Sequence, residues 1–393
     1  MELPFEDTPF VLLHFALLCV LLATFMGACS TTEVEPSRDA PSTEAASLPL
    51  LDPGFTLGTT LYGGADLPAP GTEEHALLDT AVARGLHGFK YYVDWADLEP
   101  DPGRYTLAEF RATLDDLQRL GVRPFVNITV GDIEDYNLPD GLSDGQGGLA
   151  EGVSLDDPAV TERFGRILDR VVPVLVDHGG FVLGVGNEVD ARFDGPHPGE
   201  RAAYVQIVEA ARERVHSINP RLAVGVTLTS HAVRDRSRTF RALREVTDML
   251  PLNYAPIDPN FFVRERAKIA PDFQEVLSVY GEGPILIQEL TCPSAPSMDA
   301  SEEWQRACFE RLYEEIDARS QVRFASVFTF QDLDAETCSQ VRDLIFGDEL
   351  DDLPEEGAER LSEYLCQPGV VTPVGAPKPA WEVVLEGAGS LTE

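Results

Sequence analysis

The chain has 393 residues and a formal net charge of -37, from 67 acidic against 30 basic side chains. Such a surface repels nucleic acid, anionic lipid headgroups and polyanionic sugars at long range, so the composition argues for a neutral substrate and against a nucleic-acid partner. The length exceeds the usual single-domain size but suits one α/β barrel, and nothing in it demands a second folded domain.

Phe10 to Met26 is apolar apart from His14 and Thr24, and it runs into Met26-Gly27-Ala28-Cys29. That run is short for a membrane span and typical of a signal peptide. Residues 1–29 resemble a bacterial lipoprotein signal, in which small residues precede the cysteine that is lipidated. The resemblance implies Cys29 as the lipidation site, a membrane partner through that lipid anchor, and an extracytoplasmic place on a bacterial outer membrane or cell surface. The segment departs from the pattern in carrying Glu2, Glu6 and Asp7, with no Lys or Arg, ahead of the apolar run. An uncleaved anchor and an ordinary cleaved signal are the alternatives. Residues 30–50 are rich in Ser, Thr, Pro, Glu and Ala without apolar periodicity and read as a flexible linker, which leaves 51–393 as the folded body.

Eight short apolar runs follow: Phe55 to Tyr62, Gly88 to Val93, Arg123 to Val130, Phe181 to Gly186, Ala223 to Thr229, Met249 to Tyr254, Pro284 to Gln288 and Ala325 to Phe330. Helix-period segments lie between them. Glu73 to Arg84 stops at Gly85 and Leu107 to Leu120 stops at Gly121, as glycine-capped helices do. Asp157 to His178, Gly199 to Ile218, Arg236 to Leu250, Val263 to Tyr280 and Ser301 to Ala318 continue the alternation. Eight strands alternating with helices predict an α/β fold, a (β/α)8 TIM barrel forming a single catalytic domain. No Gly-x-Gly-x-x-Gly and no Walker sequence occurs, so no nucleotide cofactor is indicated.

Two loops after strands are long. Gly131 to Leu155 holds Asp132, Asp135, Tyr136, Asn137, Asp140 and Asp144, but it lacks the spacing of a calcium loop and reads as a solvated substrate edge. Gln331 to Val374 contains the acidic stretch Asp348 to Glu359, read as a solvated face. With Cys19 inside the signal and Cys29 lipidated, Cys292, Cys308, Cys338 and Cys366 remain, and export allows them to pair in any of three ways. Cys308 shares a helical stripe with Trp304 and Leu312, so a buried free thiol is the other reading. The cysteine spacings are too wide for a zinc site, and the chemistry read from the chain uses neither metal nor cofactor.

Glu188 ends the run from Phe181, and Glu289 ends the run from Pro284. Each is the first ionisable residue after a buried strand, and such an exit is where barrels carry their active sites. Cleaving a glycosidic bond needs one carboxyl group to protonate the leaving oxygen and another to attack or stabilise the sugar carbon from the opposite face. Gly186-Asn187-Glu188 and Gln288-Glu289 resemble the paired motifs of the clan A glycoside hydrolases, a large group of retaining (β/α)8 enzymes. Asp94-Trp95-Ala96-Asp97-Leu98-Glu99-Pro100, Glu289-Leu290-Thr291-Cys292-Pro293-Ser294 and Gly375-Ala376-Pro377-Lys378-Pro379-Ala380-Trp381 are similar to further stretches of that clan. The resemblance implies Glu188 as general acid and base and Glu289 as nucleophile. It places Asn187 on the sugar 2-hydroxyl and Tyr254 in a hydrogen bond that steadies the nucleophile.

Lys90 stands where many members carry arginine, Phe330 where tryptophan often floors the sugar site, and no histidine ends the third strand. Lys90, Phe330 and Trp95 complete the candidate substrate-binding residues, Trp95 being also readable as core or rim packing and His231 as a loop residue. The expected function is hydrolysis of a neutral, β-linked oligo- or polysaccharide with retention. The alternatives are a lipid-anchored barrel that binds carbohydrate without cutting it and a transglycosylase using the same glutamates.

Overall fold

A computed structural model describes residues 56–60, 67, 71–346 and 354–391. The signal segment, Cys29 and the linker lie outside the described residues. Eight strands carry the fold: β1 (Thr56–Thr59), β2 (Leu86–Asp94), β3 (Arg123–Thr129), β4 (Val182–Gly184), β5 in two pieces (Ala223–Gly225 and Leu228–Thr229), β6 (Leu252–Tyr254), β7 (Ile285–Leu290) and β8 (Val322–Val327). Neighbours pair in parallel, and β1 is flanked by both β2 and β8. The hydrogen-bonded order runs from the first piece of β5 through β4, β3, β2, β1, β8, β7 and β6 to the second piece of β5. Both ends of that order belong to one strand, and Gly225 also bridges Met249, so the sheet closes on itself. The molecule is a (β/α)8 barrel, as the alternating pattern predicts.

The outer helices are α1 (Glu73–Ala83), α2 (Ala108–Leu120), α3 (Pro158–Asp177), α4 (Arg201–Ile218), α5 (Arg238–Arg244), α6 (Arg266–Ser278), α7 (Glu302–Asp317) and α8 (Ala380–Leu391). Their ends are set by local chemistry. The side chains of Asp157, Ser237 and Ser301 each accept from a backbone N–H of the first turn of α3, α5 and α7, and Gly121 ends α2 at φ 78°. α5 is shorter than the predicted Arg236 to Leu250. The Asp248 N–H donates to Val224 O, and the Asp248 carboxylate accepts from Val224 N–H and from Arg212, which draws the chain out of the helix towards β6.

The segment Gln331 to Val374 is not only a solvated loop. It contains two further helices, Ala335–Phe346 and Glu355–Cys366, tied by a Cys338–Cys366 disulfide. Gly357, Leu361 and Cys366 form the buried side of the second one, a periodicity hidden in the sequence by the acidic residues between them. The other disulfide joins Cys292, just past β7, to Cys308 in α7, which corrects the reading of Cys308 as a free thiol.

The barrel interior is layered. Phe125, Phe181 and Phe324 pack edge to face or tilted at 5.4 to 6.3 Å in the lower layer, with Val182, Ala223, Met249 and Leu286 around them. Phe324 fits because β1 and β2 present glycines to it: a Cβ on Gly88 would stand 2.6 Å from its ring, and one on Gly58 2.8 Å. One layer nearer the barrel mouth, Lys90, Asn127, Thr227 and Gln288 replace carbon with polar atoms, all at 1 % exposure or less. Gly88→Ala should therefore cost about 1–3 kcal/mol by overpacking. Urea unfolding is expected to show a lower midpoint, recovered in part by adding Phe324→Leu. An unchanged midpoint would contradict the close fit.

Candidate active site

Consecutive strand residues normally point to opposite sides, so two adjacent functional side chains inside a barrel need a local irregularity. At the end of β4 the irregularity is in Glu188, which adopts φ 47°, an unfavourable conformation for a residue with a Cβ. Backbone bonds from Asn187 N–H to Gly131 O and from Glu188 N–H to Thr227 O hold it there. As a result Asn187 Oδ1 and Glu188 Oε1 both accept from Asn253 Nδ2, at 3.1 and 3.0 Å. On β7 the register with β6 shifts between Ile287 and Glu289, and this bulge brings both Gln288 and Glu289 inside.

Gln288 is the hub. Its Nε2 faces Asn187 Oδ1 at 2.8 Å, Tyr92 Oη at 2.9 Å and Asn253 Oδ1 at 3.3 Å, while its Oε1 accepts from Asn127 Nδ2 and Thr227 Oγ1. Tyr92 in turn donates to Glu289 Oε1 at 2.7 Å, and Lys90 Nζ donates to the same oxygen at 2.5 Å. A continuous path thus runs from Glu188 through Asn253, Asn187, Gln288 and Tyr92 to Glu289. Asn187 Nδ2 donates to Asp132 Oδ1 at 2.9 Å, which extends the path to the hairpin Gly131–Asp132 with Asp135–Tyr136. Below the opening the hub is fully buried, whereas Tyr92, Asp132, Glu188 and Glu289 keep part of their surface exposed at the barrel mouth.

Charge crowding follows from this packing. Burial, then the neighbouring charge of Glu289 and that of Asp190, push the Glu188 carboxyl up to about 8, against the Asn253 hydrogen bond that lowers it. Burial likewise raises Asp132 to about 6 and lifts the Tyr92 phenol well above its ordinary value. The Lys90 ammonium is pulled below its usual value by burial, opposed by Glu289. Burial thus holds Glu188 towards its protonated form, and Glu289 is oriented by two donors.

Of the residues read from the sequence, Glu188, Glu289, Asn187 and Lys90 meet in this network. Tyr254 does not. Its neighbour Asn253 takes the inward position on β6, so Tyr254 points outward, packs on Phe273 and donates to Asp272 Oδ2 at 3.0 Å. The hydrogen bond to Glu289 expected of it comes from Tyr92, two positions after Lys90 on the same face of β2. Trp95 is fully buried, donates to Glu99 and lies 4.7 Å from the Phe164 ring, which makes it core rather than a sugar platform. Phe330 is also buried, edge-on to Trp381. Phe328 is the aromatic residue of that segment near the site, with Lys90 Nζ 5.4 Å from its ring centroid. Asp132 occupies the end of the third-strand segment where no histidine is found. Tyr92 and Asn253 were legible in principle, the first by its i, i+2 relation to Lys90 and the second as the polar residue in an apolar strand. Among the described residues no cluster of His, Cys, Asp and Glu is arranged to hold a metal ion.

A carbon-detected NMR titration of glutamate side chains is expected to place Glu188 near pH 8 and to move it down in Glu289→Gln, because the repelling charge is gone. An unmoved Glu188 in that variant would show that the two carboxyl groups do not interact.

No protein-family model matches the chain, and no curated protein matches it in sequence. Solved structures do match in fold. An exo-β-1,4-mannosidase from Opitutaceae bacterium strain TAV5 superposes with a TM-score of 0.62 at 18% identity, over 86% of this chain and 60% of that one. A GH5_18 protein from Streptomyces cattleya, solved with Manβ1-4GlcNAc, gives 0.60 at 16% identity over 85% and 80%. A family 39 glycoside hydrolase from Bacteroides cellulosilyticus WH2 gives 0.58 at 13% identity over 87% and 65%. The chain spans about three fifths of the length of the mannosidase, and what it shares with all three is the (β/α)8 fold.

Proposed function

We propose that the protein is a glycoside hydrolase that cleaves a neutral, β-linked oligo- or polysaccharide with retention of configuration. The observation that carries this reading is the pairing of a carboxyl group raised to about 8, Glu188, with a second one, Glu289, gripped by Lys90 and Tyr92 in the same hydrogen-bond network. A carboxyl group raised in this way is suited to donate a proton. In this reading Glu289 attacks the anomeric carbon while Glu188 protonates the departing oxygen. Glu188 then takes a proton from water as the glycosyl-Glu289 ester is hydrolysed. Asn187 supports the reading because Asp132, Gln288 and Asn253 fix its amide beside the reacting pair. The neighbours in fold include proteins named as β-mannosidase and as bound to Manβ1-4GlcNAc, which makes β-mannosides the first substrates to try.

We also propose that the chain is exported and lipid-anchored at Cys29, on a bacterial outer membrane or cell surface. The two disulfides suit an oxidising compartment.

A proton donor raised to about 8 is protonated below that pH and lost above it, so kcat/KM is expected to fall as pH rises through about 8. Glu188→Gln should lower kcat on sugar leaving groups by roughly 10²–10⁴-fold and remove that alkaline limb. A parent protein that binds oligosaccharides yet cleaves none would favour the carbohydrate-binding alternative, and transfer products exceeding hydrolysis would favour the transglycosylase.

A further inference from the structure

The Glu355–Cys366 helix is fastened across the barrel mouth. The Cys338–Cys366 disulfide holds its end, and Ser294 Oγ donates to Gln367 O at 2.9 Å just beyond it. Ser297 donates to Glu363, which ties the helix to the loop after β7. On the other side Arg360 Nε donates to Asn260 O at 2.8 Å, and its guanidinium lies 4.3 Å from the Phe262 ring centroid, which ties the helix to the loop after β6. From this bridge Tyr364 extends towards the site. Its ring meets Phe261 at 5.4 Å, its hydroxyl lies within reach of Thr291, two residues past Glu289, and it senses the charges of both Glu188 and Glu289. Phe261 is held at φ 64°, an uncommon backbone state for a bulky residue. Both residues are only partly buried.

We infer that Tyr364 and Phe261 form the wall of a second sugar subsite, on the leaving-group side of the glutamates, so that the substrate is at least a disaccharide. The inference rests on the glycosidase reading and adds to it a recognition element built from the loops after β6 and β8. An aromatic face packs against the C–H face of a sugar ring, and a phenol adds a polar edge for its hydroxyls. Trp95 and Phe330 cannot serve, since both are sealed in the core. The wall belongs on the leaving-group side because Phe261 stands in the loop after β6, the strand whose Asn253 contacts the proton donor, and Tyr364 meets Phe261 from the segment after β8. Lys90 and Tyr92 grip the nucleophile from β2, on the opposite arc.

The test compares two substrates of one sugar: the disaccharide best cleaved among β-1,4-mannobiose, cellobiose, laminaribiose, β-1,4-galactobiose and β-1,4-xylobiose, and the corresponding glycosyl fluoride, whose leaving group reaches no second subsite. Tyr364→Ala is expected to lower kcat/KM on the disaccharide roughly tenfold more than on the fluoride, and Phe261→Ala to show the same selective loss. Tyr364→Phe should retain most of the disaccharide activity. An equal loss on both substrates, or none on either, overturns the inference while leaving the glycosidase reading intact. If the parent cleaves neither kind of substrate, the glycosidase reading fails, and the subsite is judged by calorimetric binding of the five disaccharides: weaker binding to Tyr364→Ala supports it, and unchanged or absent binding overturns it.

Discussion

The amide of Gln288 is the constraint on which the rest of the site depends. It lies inside the barrel at 0 % exposure, where a polar group without partners costs about 1–3 kcal/mol for each unmade bond. Its partners stand on or beside β2, β3, β4, β5 and β6, so satisfying one side chain fixes five strands relative to one another at the height of the two glutamates. Acceptors on Asn187 and Asn253 force the Nε2 end towards them, and Asn127 and Thr227 force the Oε1 end the other way. The amide cannot flip without losing both sets. Everything above it inherits that orientation: Tyr92 is placed to donate to Glu289, and Asn253 is placed to donate to Glu188.

A rigid polar layer also explains the backbone irregularity at the two strand ends that carry the glutamates. The αL turn at Glu188 and the bulge before Glu289 each break the two-residue alternation, and each does so to put a hydrogen-bonding amide and a carboxyl group on the same side. The cost of the αL turn is of order 1–2 kcal/mol. A barrel core as close-packed as the layer around Phe324 supplies a frame stiff enough to impose it.

Much of this was legible in the sequence. Near-continuous apolar runs identify buried parallel strands, and the eight of them with intervening helices leave few architectures to choose from. Glu188 and Glu289 stand out because a charge directly after such a run marks the mouth of a barrel. What the sequence conceals is parity. Asn253 and Tyr254 are adjacent, and the resemblance favoured the tyrosine, yet a one-residue difference in facing sends Tyr254 out to Asp272 and Asn253 in to Glu188. Tyr92 was masked in the same way by the buried run around it. The Glu355–Cys366 helix after β8 was hidden by its acidity, because Gly357, Leu361 and Cys366 are too sparse a stripe to stand out among the glutamates. Pairing of the cysteines depends on distances between separate elements, which spacing along the chain does not encode.

Covalent trapping separates the roles of the two carboxyl groups. The protein would be incubated with a panel of activated 2-deoxy-2-fluoro-β-glycosides that includes the mannoside, digested, and its peptides weighed. A single fluoroglycosyl adduct is expected on the Glu289 side chain, with Glu188 unmodified. A label carried by Glu188 or by another residue, or turnover of the parent glycoside with inverted configuration and no adduct, would contradict it.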